Sequence, residues 1–435
     1  MTAAIAPRMI AEEREPTWFG QPRGLTILFL TNMWEQFSYY GMRALLIYYM
    51  TRQLLFTQPH SSFVYGAYTA CAYFTPIVGG VIADRYLGKR RAIIIGASIM
   101  ASGHFLMAFE TQLYLALAVI ALGNGFFLPS LPSQINSLYT AGDPRRGWAY
   151  NVYYVGINIG GFLAPLICGT LGEFYGWHYG FGAAGIGMFA GLLIYLAGQR
   201  YLPPEEPRAA AGAVDTENRA SAGYRLIAVL VAIGLAVTVF RGAYEQVGNT
   251  VALWAETGID RRIGGFTIPM TWFQSLNPLL VMVLTPILLT VWRRRAAVGR
   301  DTSPARRMAF GALVVALAYL LLAVVAWYAG DMRANWLWLA LFFLIFTIGE
   351  LFLLPTGLGL FARLAPPRLG ATTVAAWYLA IFTGSLFAGL VGGLWSVLDR
   401  GAYFALLAAI AGAAALLLRL LDVPIRGIDP SISEN

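Results

Sequence analysis

Twelve long apolar segments constrain the fold of this chain more than any other feature. A membrane-spanning helix needs about 20 predominantly apolar residues, and 58% of the 435 residues are hydrophobic while only 12% are charged. A soluble domain of this size could not bury so much apolar surface. The sequence therefore predicts an all-α membrane protein with twelve transmembrane helices, at residues 25–51, 62–83, 92–110, 113–138, 147–171, 179–198, 225–254, 266–292, 308–329, 335–362, 371–397 and 402–421.

The distribution of positive charge predicts the orientation of these helices. Of the 30 Lys and Arg residues, 23 lie on the side of the two termini and of residues 199–223, whereas five lie in loops on the other side. Such an excess marks the cytoplasmic side, so both termini are predicted to be cytoplasmic. Short loops and an Ala- and Arg-rich composition favour a bacterial inner membrane. Topology and anionic lipid heads explain the net charge of +8, and nucleic acid is excluded as a partner.

A polar break divides the chain into two halves of six helices each. Residues 199–223 are rich in Pro, charged and small polar residues, as in a linker. Parallel six-helix repeats are typical of the major facilitator fold, in which the substrate site lies near the midplane between the halves. The predicted organisation is an N-tail at 1–24, a bundle at 25–198, the cytoplasmic linker at 199–223, a bundle at 224–421 and a C-tail at 422–435.

The loop after the second apolar segment agrees with that fold. It reads G-V-I-A-D-R-Y-L-G-K-R-R and resembles the G-x-x-x-D-R-x-x-G-R-R loop of major facilitators. The resemblance implies that its acidic side chain and arginines brace the cytoplasmic ends of helices, where charge and helix dipole can interact. The residues assigned to this structural loop motif are Gly80, Asp84, Arg85, Gly88 and Arg90.

Five charged residues lie well inside apolar segments: Glu35, Arg43, Arg241, Glu245 and Glu350. Charge in hydrocarbon is costly and normally faces a bundle interior or a watery cavity, so these residues indicate a transport path. Arg241 and Glu245 are four positions apart, hence on one helix face and within pairing distance. Glu35 and Arg43 are about two turns apart and can both face the cavity, either as a structural ion pair or as part of a gate.

Several further stretches resemble the signatures of proton-dependent oligopeptide transporters, the POT family. The resemblance covers nearly the whole chain in order and implies a secondary active transporter of peptides or peptide-like molecules that works by alternating access and proton symport. The matching stretches are 35–41 (E-Q-F-S-Y-Y-G), 123–129 (G-N-G-F-F-L-P), 150–160 (Y-N-V-Y-Y-V-G-I-N-I-G), 244–246 (Y-E-Q), 275–278 (S-L-N-P), 349–351 (G-E-L) and 364–366 (L-A-P).

Departures from the family pattern concern charge. Asn32, Gln36 and Leu128 stand where the family has a Glu, an Arg and a Lys that are associated with proton coupling and with holding the carboxylate of a peptide. Arg241 stands where the family generally has Trp. We therefore expect Arg241 either to meet an anionic substrate group or to neutralise Glu245, the alternative being a structural pair that only rigidifies its helix. An atypical substrate, or transport without proton coupling, is the alternative function.

The resemblance also implies roles for individual residues. Glu350 corresponds to the Glu that receives the substrate's amino group; amide side chains suit the orientation of a peptide-like backbone, and aromatic residues form amphipathic walls. The predicted substrate-binding residues are Tyr39, Tyr40, Tyr73, Asn158, Arg241, Asn277, Glu350 and Trp377. The predicted proton-coupling or gating residues are Glu35, Arg43, Glu245 and Glu350.

The remaining motifs do not indicate an enzyme. The sequence lacks a paired intramembrane Asp, an H-E-x-x-H and a G-x-S-x-G motif. Cys71 and Cys168 show no metal or redox spacing and are interpreted as structural thiols, and His104 as a satisfied structural histidine. We expect no catalytic residue, no cofactor and no metal. The expected partners are a small-molecule substrate, protons and the lipid bilayer, and the expected state is a monomer.

Overall fold

The computed structural model describes residues 17–18, 20–140, 143, 145–204, 224–298, 302–364 and 370–428. The predicted tails and linker lie mainly outside the described residues, so their boundaries stay predictions. Within the described residues the chain is almost entirely helical, apart from three pairs of two-residue strands. The paired strands are Thr17–Trp18 with Gln21–Pro22, Ile259–Asp260 with Ala334–Asn335, and Arg262–Ile263 with Phe266–Thr267.

The first half contains six helices. Two of them, α1 and α2, continue as single π-helical turns at Tyr49–Gln53 and Ala83–Leu87. The helices are α1 (Arg23–Tyr48), α2 (Gln58–Ile82), α3 (Lys89–Leu106), α4 (Leu113–Ser137), α5 (Arg145–Phe174) and α6 (Trp177–Gly198).

The second half also contains six spans, the first of which is interrupted. The 3₁₀ turn Glu245–Gly248 separates α7 (Tyr224–Tyr244) from α8 (Thr250–Thr257), and the two helices together form one span. The others are α9 (Leu276–Ala297), α10 (Pro304–Ala329), α11 (Trp336–Leu364), α12 (Gly370–Gly393) and α13 (Arg400–Leu420), followed by the short α14 (Asp422–Ile428).

Ten of these spans in the described part of the chain are long and apolar enough to cross a membrane by length and composition alone. The other two are α1, whose inward face is polar, and α3, which starts with three basic residues. Both are packed inside the first half, α1 against α5 and α6, and α3 against α4 and α6. The predicted fold class, twelve transmembrane helices in two six-helix bundles of the major facilitator type, is confirmed.

Close helix packing in the first half depends on small residues. A Cβ atom on Gly160 of α5 would lie 2.3 Å from the carbonyl oxygen of Met33 on α1, and one on Gly156 would lie 3.0 Å from the ring of Phe29. Both distances are shorter than ordinary van der Waals contact. The glycines at 156 and 160, a small-xxx-small spacing, therefore serve the contact between α1 and α5.

The two halves meet along two helix pairs, α2 with α12 and α5 with α9. Ion pairs between the halves lie near the last turns of α1 and α5 and around α7 and α8. This end of the molecule is opposite the end of α6, because the first residues of α1 lie beside the residues that follow α6: a Cβ on Gly24 would lie 2.7 Å from the Tyr201 carbonyl oxygen. The pairs are Arg43 with Glu245, Arg52 with Glu256 at 2.7 Å, and Arg261 with Glu173 at 3.2 Å.

One residue of the loop motif, Arg90, connects the start of α3 with the end of α6. Its guanidinium donates to the carbonyl oxygens of Leu202 and Pro203, just after α6, at 2.7 Å each. Gly88 has a φ of +80° at the start of α3, a conformation that favours glycine. Asp84 and Arg85 are exposed in the π-helical turn. The bracing role of the motif stays a prediction.

The interpretation of His104 as a satisfied histidine is wrong. Its side chain is fully buried on α3, and neither ring nitrogen has a hydrogen-bond partner among the described residues. Cys71 and Cys168 are free thiols, the first exposed and the second buried, and their interpretation as structural thiols stays a prediction.

Candidate functional site

A cavity of about 400 Å³ lies between the two halves, enclosed by α1, α2 and α5 on one side and α7, α9, α11 and α12 on the other. It is the place that the sequence predicts for a substrate. Seven of the eight predicted substrate-binding residues line it: Tyr40, Tyr73, Asn158, Arg241, Asn277, Glu350 and Trp377. The structure thus brings them together, while their roles stay predictions.

Tyr39 is the exception. It is buried beside the cavity wall, in an edge-to-face contact with Tyr40 (ring centroids 5.3 Å apart) and stacked on Tyr68 of α2 at 6.4 Å. Tyr39 packs toward Tyr68 of α2, whereas Tyr40 lines the cavity. The prediction that Tyr39 lines the site is wrong.

The Glu350 carboxylate is held by neutral donors. Its Oε1 accepts a hydrogen bond from the Tyr244 hydroxyl at 2.7 Å, and its Oε2 accepts one from the Asn277 side-chain amide at 2.5 Å. The same amide donates to the Thr347 hydroxyl at 3.0 Å, which fixes its orientation. Glu350 makes no ion pair with a described cation within 4.0 Å. An uncompensated carboxylate in a cavity can accept a ligand's ammonium group.

Arg241 lies on α7, on the same side of the cavity as Glu350. Its guanidinium pairs with Glu245 one turn along the helix and lies over the rings of Tyr73 and Tyr244, at 5.1 and 4.9 Å from their centroids. The residue is only 3% exposed, and its Nε has no hydrogen-bond partner. The expected Arg241–Glu245 contact is therefore present, and a lipid-facing position for Arg241 is excluded.

Glu245 serves two arginines at once. Its Oε1 faces Arg241 and its Oε2 faces Arg43 of α1, so one carboxylate carries two ion pairs, one within the second half and one between the halves. Arg43 also donates through Nε to the Tyr65 hydroxyl at 2.6 Å. Tyr65 can approach because Gly248 has no side chain: a Cβ there would lie 2.0 Å from the Tyr65 oxygen.

Glu35 does not face the cavity and does not pair with Arg43. It is 1% exposed inside the first half, where one oxygen accepts a hydrogen bond from the Gln36 amide at 2.6 Å. The prediction of a Glu35–Arg43 pair is wrong, because the Arg43 side chain reaches across to α7 instead. Asn32, at the position of the family's first Glu, donates to the Tyr153 carbonyl oxygen at 3.2 Å.

Sequence reasoning missed Tyr244 as a site residue. Its hydroxyl binds Glu350, and its ring lies beneath Arg241, so it connects the two charged poles of the cavity. A signal was present, since Tyr244 is three positions after Arg241 on the same helix face. Other cavity residues carry no chemical signal in the sequence: Ile157, Pro278, Val281, Leu351, Leu354, Leu358 and Ile381. Among the described residues, no three His, Cys, Asp or Glu side chains are grouped as metal ligands.

Comparison with known proteins decides the family. The POT family model matches residues 90–215 and 211–406. The chain belongs to the POT family. This transporter is 31% identical to "Uncharacterized transporter YclF" of Bacillus subtilis, over 92% of this chain and 94% of that protein. It is 30% identical to the "Di-/tripeptide transporter" of Lactococcus lactis subsp. cremoris, over 94% and 97%.

The structure of this POT-family transporter also matches a solved one. The crystal structure of peptide transporter POT in complex with sulfate aligns with a TM-score of 0.87 at 27% identity, covering 95% of this chain and 97% of that chain. Family membership and fold agree, and the chain is a multi-span membrane transporter. The resemblance inferred from the motifs is confirmed.

Proposed function

We propose that this transporter carries peptides or peptide-like small molecules by alternating access, as a proton-coupled symporter. The observation that carries the proposal is Glu350: a carboxylate held by neutral donors, in a cavity between two halves, suits the amino group of a substrate. Two similar proteins, the di-/tripeptide transporter of Lactococcus lactis and the peptide transporter of the solved structure, support a peptide substrate.

Alternating access requires that contacts between the halves form and break in turn. Three ion pairs connect the halves near the ends of α1 and α5, and one of them, Arg43 with Glu245, is buried next to the cavity. A buried pair holds firmly while both charges are present and weakens when one is neutralised. A proton that neutralises Glu245 would loosen the contact with Arg43, which is the coupling step that we propose.

An alternative within the same class is an atypical, non-peptide or modified substrate, moved without proton coupling. Gln36 and Leu128 support it, because neither can supply the cation that the family has at these positions. Uptake driven by an inward proton gradient supports symport. Equal uptake with and without the gradient favours the alternative.

The cellular setting is part of the proposal. The protein lies in a bacterial inner membrane with both termini on the cytoplasmic side, as the distribution of Arg and Lys predicts. The transporter acts as a monomer, with the substrate, protons and the bilayer as its partners.

The test is Glu350→Gln in proteoliposomes, with dialanine and N-acetyl-dialanine as probes. Glutamine keeps the shape and removes the charge, so we expect dialanine affinity to fall roughly tenfold, the effect of losing one charge-assisted hydrogen bond. N-acetyl-dialanine, which lacks the ammonium group, should respond little. Glu110→Gln is a matched control, because Glu110 is exposed outside the cavity and bonds Gln53. Unchanged dialanine binding with an unchanged pH profile of uptake would make Glu350 structural only.

A further inference from the structure

The cluster around Glu245 contains more positive than negative charge. Arg43 and Arg241 share this one carboxylate, and no other described acid lies within 4.0 Å of either guanidinium. Arg43 has a further partner in the Tyr65 hydroxyl. Besides Glu245, Arg241 has the rings of Tyr73 and Tyr244 as neighbours, and an aromatic ring offers no oxygen or nitrogen acceptor to its N–H donors.

Arg241 also has an unused donor. Its Nε carries an N–H that is covered and has no acceptor among the described residues, although the side chain lines the cavity. A buried donor without an acceptor is unfavourable, and a guanidinium presents its donors as a fork that matches a carboxylate. An anionic group that binds Arg241 would supply the acceptor that the described residues do not provide.

The two poles of the cavity are close together. Tyr244 spans them: its hydroxyl is 2.7 Å from the Glu350 Oε1, and its ring centroid is 4.9 Å from the Arg241 Cζ. The distance from the Tyr244 hydroxyl oxygen to the centre of its ring has to be added to these two distances. The Glu350 Oε1 and the Arg241 Cζ are therefore at most about 10 Å apart.

From the unpartnered Nε of Arg241, its place in the cavity lining and the carboxylate that it shares with Arg43, we infer that Arg241 is the anion-binding pole of the cavity, and that the substrates are short zwitterions whose amino end meets Glu350. This rests on the proposed function for the amino end only. An extended peptide spans about 3.5 Å per residue. A tripeptide thus occupies the whole separation and leaves no length for its two polar contacts, whereas an amino-acid derivative or a bent dipeptide fits.

Both poles belong to the second half, Arg241 on α7 and Glu350 on α11. The first half contributes the walls Tyr40 and Tyr73 and the amide of Asn158. A zwitterion held in this way competes with Glu245 for Arg241, so the ligand acts on the same carboxylate that pairs with Arg43.

The experiment compares dialanine, dialanine amide and trialanine on the purified transporter in lipid nanodiscs. The wild-type protein should bind dialanine roughly tenfold more tightly than the amide, and trialanine more weakly than dialanine. Arg241→Gln should lose the preference for the acid over the amide while still binding the amide. Arg241→Lys, which keeps the charge without the fork, should give an intermediate preference.

Folding of the variants is not the obstacle, because Glu245 keeps Arg43 as a partner when Arg241 is replaced. Arg261→Gln is the matched control: Arg261 forms an ion pair too, with Glu173 of the first half, but lies outside the cavity. It should retain the preference for the acid. The same preference in Arg241→Gln as in the wild type would overturn the inference and leave peptide transport standing.

A second arm does not depend on peptides. Sulfate, an anion without an amino group, should raise the unfolding temperature of the wild type, and this effect should disappear in Arg241→Gln. If no peptide binds but sulfate acts in this way, the proposed peptide substrate fails and the anion-binding pole is supported. If sulfate has no effect, or the same effect in both proteins, the inference that Arg241 binds an anion is overturned.

Discussion

Replacing Glu245 with glutamine removes one negative charge and leaves the size of the side chain unchanged. In the structure this charge faces two guanidiniums, those of Arg43 and Arg241, whose side chains are 12% and 3% exposed. Breaking a buried ion pair by removing one partner costs about 3–5 kcal/mol, because the remaining charge stays buried without compensation. Here two charges lose their partner at once, although the two losses share one site and do not simply add.

The arginine variants should be milder. After Arg241→Gln or Arg43→Gln, Glu245 retains one arginine, so the change removes a charged hydrogen bond, about 1.5–3 kcal/mol, and leaves no charge unpaired. The expected order of stability is therefore wild type, then the two arginine variants, then Glu245→Gln. The double variant of Glu245→Gln with Arg241→Gln should be more stable than Glu245→Gln alone, because it contains one uncompensated cation instead of two.

The assay is thermal unfolding in detergent at neutral pH, with and without sulfate. Sulfate should restore much of the stability of Glu245→Gln, because an anion can take the place of the lost carboxylate. A ligand at a hundred times its dissociation constant contributes about 2.7 kcal/mol. Glu245→Gln that unfolds at the wild-type temperature, or above Arg241→Gln, would refute the idea that one carboxylate compensates both arginines.

Two further predictions concern packing and topology. Gly160→Ala should lower the unfolding temperature, because its Cβ would lie 2.3 Å from the Met33 carbonyl oxygen. Gly182→Ala, where nothing lies within 4 Å of the added Cβ, should be neutral or stabilising. Equal unfolding temperatures of the two variants would contradict the packing argument. In a background without native cysteines, an impermeant maleimide added to intact cells should label Gly265→Cys and not Ala211→Cys in the linker, because the excess of Arg and Lys predicts a cytoplasmic linker. Labelling of Ala211→Cys would reverse the predicted topology.

Sequence reasoning predicted the spans well because each depends on a local quantity. The length of an apolar run fixes whether a helix can cross a bilayer, and most observed helices begin and end within a few residues of the predicted segments, as in 113–138 and α4. The segment 266–292 is an exception, because a 3₁₀ turn at Met270–Ser275 precedes α9. Even α1, which fails a pure hydropathy criterion, was predicted as a span. Its polar residues face the interior of the molecule, where lipid does not reach.

The charged site was predictable only where spacing decides the contact. Arg241 and Glu245 are one turn apart, so helix geometry alone predicts their pair. Arg43 pairs with Glu245 across 202 positions of sequence, and no periodicity in the chain carries that information. Spacing instead suggested Glu35 as a neighbour, but side chains two turns apart meet only if both point along the same face, and Arg43 points toward α7.

The sharing of Glu245 ties the proposed roles of substrate and proton to one another. While Glu245 is charged it holds Arg241, and an anionic ligand has to compete with it for the guanidinium. A proton on Glu245 removes this competitor, so it favours the anionic ligand at Arg241. Linkage is reciprocal, and the bound ligand therefore favours the proton by the same factor. The same proton weakens the contact with Arg43, which connects the halves. A chain with Gln36 and Leu128 in place of two cations would thus couple substrate, proton and closure of the halves through a single carboxylate.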